Sequence, residues 1–347
     1  MEDSQKQQLL NIIHQLSYYL IDQARKKSGK DILDIEINDI VYSKAQGRFG
    51  EVFICDVFYR SEVGEHKTKL AIKFFGDEST VTNEIKNTIH LEQKFSTRSL
   101  IELPKYIYAN LNSPMYVVYE GITGINYEDA TEILDKSFWA GYVLAIIHGI
   151  NPRPVIYEVY EELFRRLVLA VFGGSAEEEI IMSESNMFFT MIKESSGGCD
   201  AFGDYHQSNL MLRTTPQGEI LKIALIDPTF WMPGSFDRFE DMGTFFGRQA
   251  FVEFREKKNI INTIGDIKQF LQGYNVYLRE VDIPVLTELY PKGFPLDFFL
   301  GIWSMMDYID KTTIQHIPSD NVNMQLLKEF AVYVLNKKPI YSALWKK

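Results

Sequence analysis

Cysteine is scarce in this chain of 347 residues: Cys55 and Cys199 stand far apart, without metal-ligand spacing, so neither a disulfide framework nor a zinc site is expected. Sparing use of thiols fits a reducing cytoplasm, which is the expected location. Long apolar runs are missing too. No window approaches the roughly 18 uninterrupted apolar residues of a membrane span, and the N-terminus opens on Glu2 and Asp3 instead of a basic stretch leading into an apolar block. Neither secretion nor a membrane span is therefore expected. Positive charge is short as well, with 36 Lys and Arg against 47 Asp and Glu and a formal net charge of -11. That balance argues against a general nucleic-acid binder, which needs a basic face to replace phosphate counterions, and leans toward cationic small molecules. No internal repeat or low-complexity tract is evident.

What is present is a folded, aromatic-rich chain, 46% hydrophobic and 14% aromatic, long enough for two lobes sharing a cleft. Ser4 to Lys27 carries Leu9, Ile13, Leu16 and Leu20 at helical spacing with Gly29 as a stop signal, which predicts one amphipathic helix packed on the lobe behind it. Short β-rich runs follow (DIEINDIVY, GEVFICDVFYR, TKLAIKFFG), with Glu62 to Lys67 as the hairpin turn between the last two. A helix is predicted over Ser79 to Phe95, then two strands in LPKYIYA and PMYVVYE. Beyond Gly121 and Gly124 the pattern turns helical. Ser137 to His148 reads as a buried helix, Val155 to Phe172 as an amphipathic one, and the chain from about Phe239 as further helices. The expected division is a helical extension over 1–32, a β-rich lobe over 33–119 and a mostly helical lobe over 120–347 that holds a strand hairpin.

The densest chemistry lies in FGDYHQSNLML, Phe202 to Leu212, and in IALIDP, Ile223 to Pro228. Asp204, Asn209 and Asp227 stand there in an order that suits metal-assisted phosphoryl transfer, which needs one carboxylate to take a hydroxyl proton and separate oxygen ligands for magnesium. Asp227 closes an apolar strand, a place that does not tolerate a carboxylate without a partner or a metal. In the β-rich part, AQGRFGEVF puts Gly47 and Gly50 at a strand-to-strand turn, where backbone N–H groups can approach phosphates without a side chain in the way. Lys73 in LAIKFF sits inside a buried strand pattern and can hold phosphates if a glutamate of the next helix positions it. Glu84 and Glu92 both qualify. They cannot both face Lys73, because eight residues along a helix rise about 12 Å.

In this order and context the motifs resemble the protein-kinase-like superfamily, and within it the aminoglycoside phosphotransferase and choline kinase branch. LAIKFF resembles the strand of the nucleotide-binding lysine, and NEIKNTIHLEQ the helix of its glutamate, which favours Glu84. GDYHQSNLML is similar to the branch's G-D-x-H-x-x-N catalytic loop, with His206 matching the histidine that protein kinases lack. MYVVYEGITG resembles the run into the adenine-contacting hinge, so Tyr119, Glu120, Gly121 and Ile122 would offer backbone hydrogen bonds. FEDMGTFFG resembles the segment in which Asp241 would brace the catalytic loop, and FLQGY, Phe270 to Tyr274, one common in the helical subdomain. Departures are Phe202, where the branch usually has histidine, and Pro228 and Thr229 after the metal aspartate.

The resemblance implies an α+β, two-lobed protein-kinase-like fold with an antiparallel sheet lobe over 33–119 that binds nucleotide and a larger helical lobe that binds substrate. It further implies ATP or GTP with Mg²⁺, Asp204 as base, Asn209 and Asp227 as metal ligands, and Gly47, Gly50, Lys73 and Glu84 around the phosphates. The acceptor would be a small-molecule hydroxyl of aminoglycoside, amino alcohol or sugar type. Residues 151–200, with nine acidic and four basic side chains, favour an amine-bearing one. Two alternatives stay open: GRFGEVF reads like a Ser/Thr protein kinase, and a silent nucleotide-binding scaffold is the third reading.

Overall fold

A computed structural model describes residues 2–46, 51–149, 161, 165, 168–169, 172–194, 199–228, 231–236, 238–289 and 321–336. Gly47 and Gly50 of the predicted glycine turn lie outside the described residues, as does most of the helix predicted over Val155 to Phe172. The chain divides into two compact units, one of Met1–Gly124 with Ala224–Thr229, the other of Ile125–Ile223 with Phe230–Lys347.

The first unit begins with two helices, α1 (Glu2–Gln15) and α2 (Ser17–Ser28), where the sequence pattern predicts one. At the break, Leu16 N–H bonds Ile13 O three residues back at 2.9 Å, and the Ser17 hydroxyl takes His14 O at 2.6 Å, so the regular four-residue ladder is interrupted. The apolar stripe nonetheless runs through the break. Gly29 ends α2 at φ 67, the left-handed stop its position predicts.

Five antiparallel strands follow in the order β1 (Glu36–Gln46), β2 (Glu51–Ser61), β3 (Gly64–Phe75), β6 (Met115–Glu120), β5 (Tyr106–Asn110), with β4 (Ile101–Glu102) outside this sheet. Side chains alternate across it. Phe53, Cys55, Val57 and Tyr59 of β2, Leu70 and Ile72 of β3 and Val118 of β6 form one core with Leu9 and Ile13 of α1, Leu16 at the break and Leu20 of α2. Phe75, Val117 and Tyr119, of opposite parity, pack with Val81 of α3 (Glu78–Phe95). Both faces of the sheet are therefore covered by helices. The β2–β3 turn is shorter than the predicted Glu62 to Lys67, because His66 and Lys67 already pair with Tyr59 and Phe58. Tyr59 stacks on the His66 ring at 5.2 Å, and Gly64 takes the positive φ of 135 that the tight turn requires.

The second unit is mostly helical, with β7 (Ile125–Asn126), β9 (Leu210–Thr214) and the start of β10 (Ile220–Leu225) as a small sheet and β8 (Cys199–Ala201) paired with β11 (Met232–Phe236). Its helices are α4 (Lys136–His148), α5 (Ala176–Glu194), α6 (Phe239–Lys257), α7 (Ile261–Glu280), the single turn α8 (Leu286–Leu289) and α9 (Asn321–Asn336). Helices α4 and α7 cross at two glycines. A Cβ on Gly273 would meet Phe138 O at 1.9 Å, and one on Gly141 would meet Phe270 O at 2.0 Å, so each helix presses backbone on the other where no other residue fits. Among the described residues, no helix is long and apolar enough to cross a membrane.

Candidate functional site

Helix α3 is started by Asp77, whose carboxylate accepts the Thr80 N–H at 2.9 Å. The hydroxyls and N–H groups of Ser79 and Thr80 hold that carboxyl down at about 2. From this start the buried stripe Val81, Glu84, Thr88, Leu91 and Phe95 repeats every three or four residues, which turns Glu84 inward and leaves Glu92 off the stripe. Lys73, two residues from Phe75 on the same side of β3, points to that helix. Its Nζ donates to Glu84 Oε2 at 2.6 Å and to Asp227 Oδ1 at 2.8 Å, and lies 5.0 Å from the centre of the Phe75 ring. Of the two candidate glutamates, Glu84 is the one in contact with the lysine.

This cation is buried, with 6% of its side chain exposed, as is Glu84 at 1%, whereas Asp227 keeps 26%. Burial alone would lower the Lys73 pKa, but the facing carboxylates of Asp227 and Glu84 outweigh it and raise it above the ordinary lysine value. Lys73 is thus held charged. Asp227 follows β10 with φ 58, a left-handed conformation that costs an L residue on the order of 1 kcal/mol and that aspartate tolerates better than most. The Glu84 carboxylate has a further partner, the Tyr119 hydroxyl, which donates to Oε1 at 2.7 Å.

The segment after β6 is pressed against β3. Glu120 N–H bonds Lys105 O and Gly121 N–H bonds Lys69 O, each at 2.8 Å, and a Cβ on Gly121 would stand 2.4 Å from Lys69 Cγ. Of the four residues predicted to offer backbone hydrogen bonds to a base, Glu120 and Gly121 therefore have their N–H groups spent on the protein, and Tyr119 lies within the paired strand. Ile122 N–H has no acceptor among the described residues.

In the second unit Phe202 to Asn209 forms a loop built on Gly203 at φ 82 and closed by a short 3₁₀ turn, Gln207–Asn209. Asn209 Nδ2 donates to Asp204 O at 2.9 Å, and Asn209 N–H to His206 O at 2.9 Å. With its amide nitrogen spent in this way, Asn209 keeps Oδ1 without a protein donor among the described residues, a hard oxygen of the kind magnesium takes. His206 Nε2 lies 3.5 Å from Asp204 Oδ2. Tyr205 anchors the loop by donating to Ala140 O at 2.7 Å, and Gln207 by donating to Phe245 O at 2.7 Å.

Beneath the loop runs a buried polar chain. Asp241, fully buried, accepts the N–H of Phe202 at 2.7 Å and of Gly203 at 2.8 Å. His148 Nε2 lies 3.2 Å from the same carboxylate, its Nδ1 2.7 Å from the Tyr274 hydroxyl, and Arg238 donates to that hydroxyl at 2.9 Å. One set of roles satisfies all of these contacts: Arg238 donates to Tyr274, Tyr274 to His148 Nδ1, and His148 Nε2–H to Asp241. Burial pulls the His148 pKa below its ordinary value against the opposing pull of Asp241, which agrees with a neutral ring. The sequence offered a signal for His148, a polar end on an all-apolar helix that needs a partner, and FLQGY marks Tyr274. Arg238 carried none.

No group of three or more His, Cys, Asp or Glu side chains gathers to hold a metal among the described residues. A small set of oxygen ligands fits magnesium, which keeps waters and uses one or two carboxylates beside substrate phosphates.

No protein-family model and no curated protein matches the chain. Among solved structures it is similar to the aminoglycoside phosphotransferase APH(2'')-Ib with ADP bound, at 16% identity and TM-score 0.46, covering 90% of this chain and 95% of that one. It is also similar to the choline kinase LicA from Streptococcus pneumoniae, at 14% identity and TM-score 0.47 over 92% and 99% of the two chains. A third is the spectinomycin phosphotransferase APH(9)-Ia with ADP and spectinomycin, at 14% identity and TM-score 0.44 over 93% and 98%.

Proposed function

We propose that this protein is a phosphotransferase that moves the γ-phosphoryl group of ATP or GTP to a hydroxyl of a small molecule. The observation that carries the reading is the buried Lys73, held charged between Glu84 at 2.6 Å and Asp227 at 2.8 Å. A cation kept out of water by two carboxylates is costly unless its charge is used, and binding the α and β phosphates of a nucleotide uses it. Bound magnesium would neutralise the triphosphate, with Asn209 and Asp227 as its protein ligands. Asp204 orients the acceptor hydroxyl and takes its proton. The acceptor oxygen then bonds to the γ-phosphorus as the bond to the β-phosphate oxygen breaks, releasing the nucleoside diphosphate. Asp241 fixes the backbone that presents Asp204, and Ile122 N–H is the hinge donor assigned to the base. The acidic balance of residues 151–200 favours an acceptor that carries an amine, as an aminoglycoside or amino alcohol does.

A screen of nucleotide consumption over aminoglycosides, amino alcohols and sugars, with Mg²⁺ and with an Asp204→Ala control, tests this reading. Turnover with at least one class is expected, falling by a factor of 10³ or more in the control, as loss of a base together with the positioning it supplies implies. Asp227→Ala should lose turnover and also weaken magnesium-dependent nucleotide binding. Normal turnover by a folded Asp204→Ala protein would end the assignment. Phosphoserine or phosphothreonine on the protein after incubation with Mg-ATP would move it to the protein kinase reading.

A further inference from the structure

Glu84 is almost completely buried, and a buried carboxylate needs donors on both oxygens. Oε2 receives Lys73, and Oε1 receives the hydroxyl of Tyr119 at 2.7 Å. Tyr119 stands on β6, a strand paired on both sides, with Ala71 opposite it on β3 and Tyr106 on β5. Its ring packs among Phe75, Val81 and Val117, so the hydroxyl is a rigid donor and not a loose one. The contact joins the sheet to α3 at the height of the lysine.

We propose that Tyr119 is a positioning residue whose hydroxyl keeps Glu84 ionised and aimed at Lys73, so that the lysine stays charged and in place for the nucleotide phosphates. Its use in catalysis rests on the phosphotransferase reading; its effect on Glu84 does not. The charged and titratable groups facing Glu84 are Lys73 on β3, Asp227 after β10 and Tyr119 on β6. Burial and Asp227 raise the Glu84 pKa, whereas Lys73 and the Tyr119 hydroxyl lower it. Removing the hydroxyl must then raise it further, and loss of the glutamate charge takes away part of what holds Lys73. An apolar ring of the same shape would keep the packing and lose all of this.

The test is Tyr119→Phe, alone and combined with Glu84→Gln, with thermal melts to verify folding and Tyr119→Met as a second variant lacking the donor. Carbon-13 NMR of labelled glutamate, with the E84Q protein identifying the Glu84 signal, reads that carboxyl directly. In Y119F it should titrate at higher pH than in the parent protein. With nucleotide, KM for Mg-ATP should rise about 3- to 30-fold with a smaller change in kcat, as expected when part of the free energy of a lost hydrogen bond to a charged group is passed on through Glu84 to the lysine, and the acid limb of the kcat/KM profile should move to higher pH. On the E84Q background the substitution should have little further effect. An unchanged Glu84 titration in Y119F overturns the proposal. Failure of the parent protein to bind nucleotide sinks the phosphotransferase reading instead, and the carboxyl titration still decides what Tyr119 does.

Discussion

His148 has both ring nitrogens engaged and no exposure, and burial holds its pKa below the ordinary 6.5. The sign of the consequence follows from which state takes up the proton. An unfolded chain protonates this ring once pH falls below about 6.5, while the folded protein resists, so the unfolded state binds more protons in that window. The contribution is fully present above 6.5 and is lost progressively as pH falls toward the depressed folded value. Urea midpoints at pH 7.5 and pH 5 should therefore differ more for the parent protein than for His148→Gln, which removes the titration. At this scale the sequence was legible where chemistry and spacing coincide, as in the pairing of Lys73 with Glu84, which stand 2.6 Å apart. It was less so for side chains that act through others: Arg238 has no local pattern, because its partners Tyr274 and Gly149 lie 36 and 89 residues away.

Among the elements, the α4–α7 crossing is the one most sensitive to a single atom. Gly273→Ala forces a Cβ to within 1.9 Å of Phe138 O, so the helices must separate. We expect a loss of about 2–3 kcal/mol or more, the upper part of the range for overpacking, since the obstacle is backbone and cannot swing aside. Gly265→Ala on the same α7 meets nothing within 4 Å and should instead stabilise by about 0.5–1 kcal/mol through helix propensity. Chemical denaturation of both variants checks the pair, and similar effects from the two would refute the close-crossing account. Element boundaries came through well where the apolar period is strong: α3 begins one residue before the predicted Ser79 and ends at Phe95, and α4 one before Ser137 and ends at His148. The break at Leu16 did not, because the stripe that signals a helix continues across it. The turn between β2 and β3 was overestimated because polar residues were read as loop, whereas cross-strand pairs such as Arg60 with Glu65 keep them in the ladder.

For the whole molecule, the change from strands to helices along the chain was visible in the sequence, since period-two and helical patterns are local. Not visible was the return of Ala224–Thr229 to the first unit, where Asp227 meets Lys73 across 154 residues of chain. On the proposed phosphotransferase reading, that contact would set an order of arrival. With the ammonium resting on the carboxylate, a divalent ion offered by itself would compete with a resident cation for Asp227, whereas a bound nucleotide would draw the lysine onto its phosphates and free it. Calorimetric titration with MgCl₂ alone should therefore show far weaker binding than titration with MgCl₂ after a nonhydrolysable nucleotide, and Lys73→Met should narrow the gap from the metal side. Equal affinities in the two titrations would mean that the lysine does not guard the aspartate. On this account the protein admits its cofactors as a pair, with the lysine acting as a latch that only the organic partner can lift.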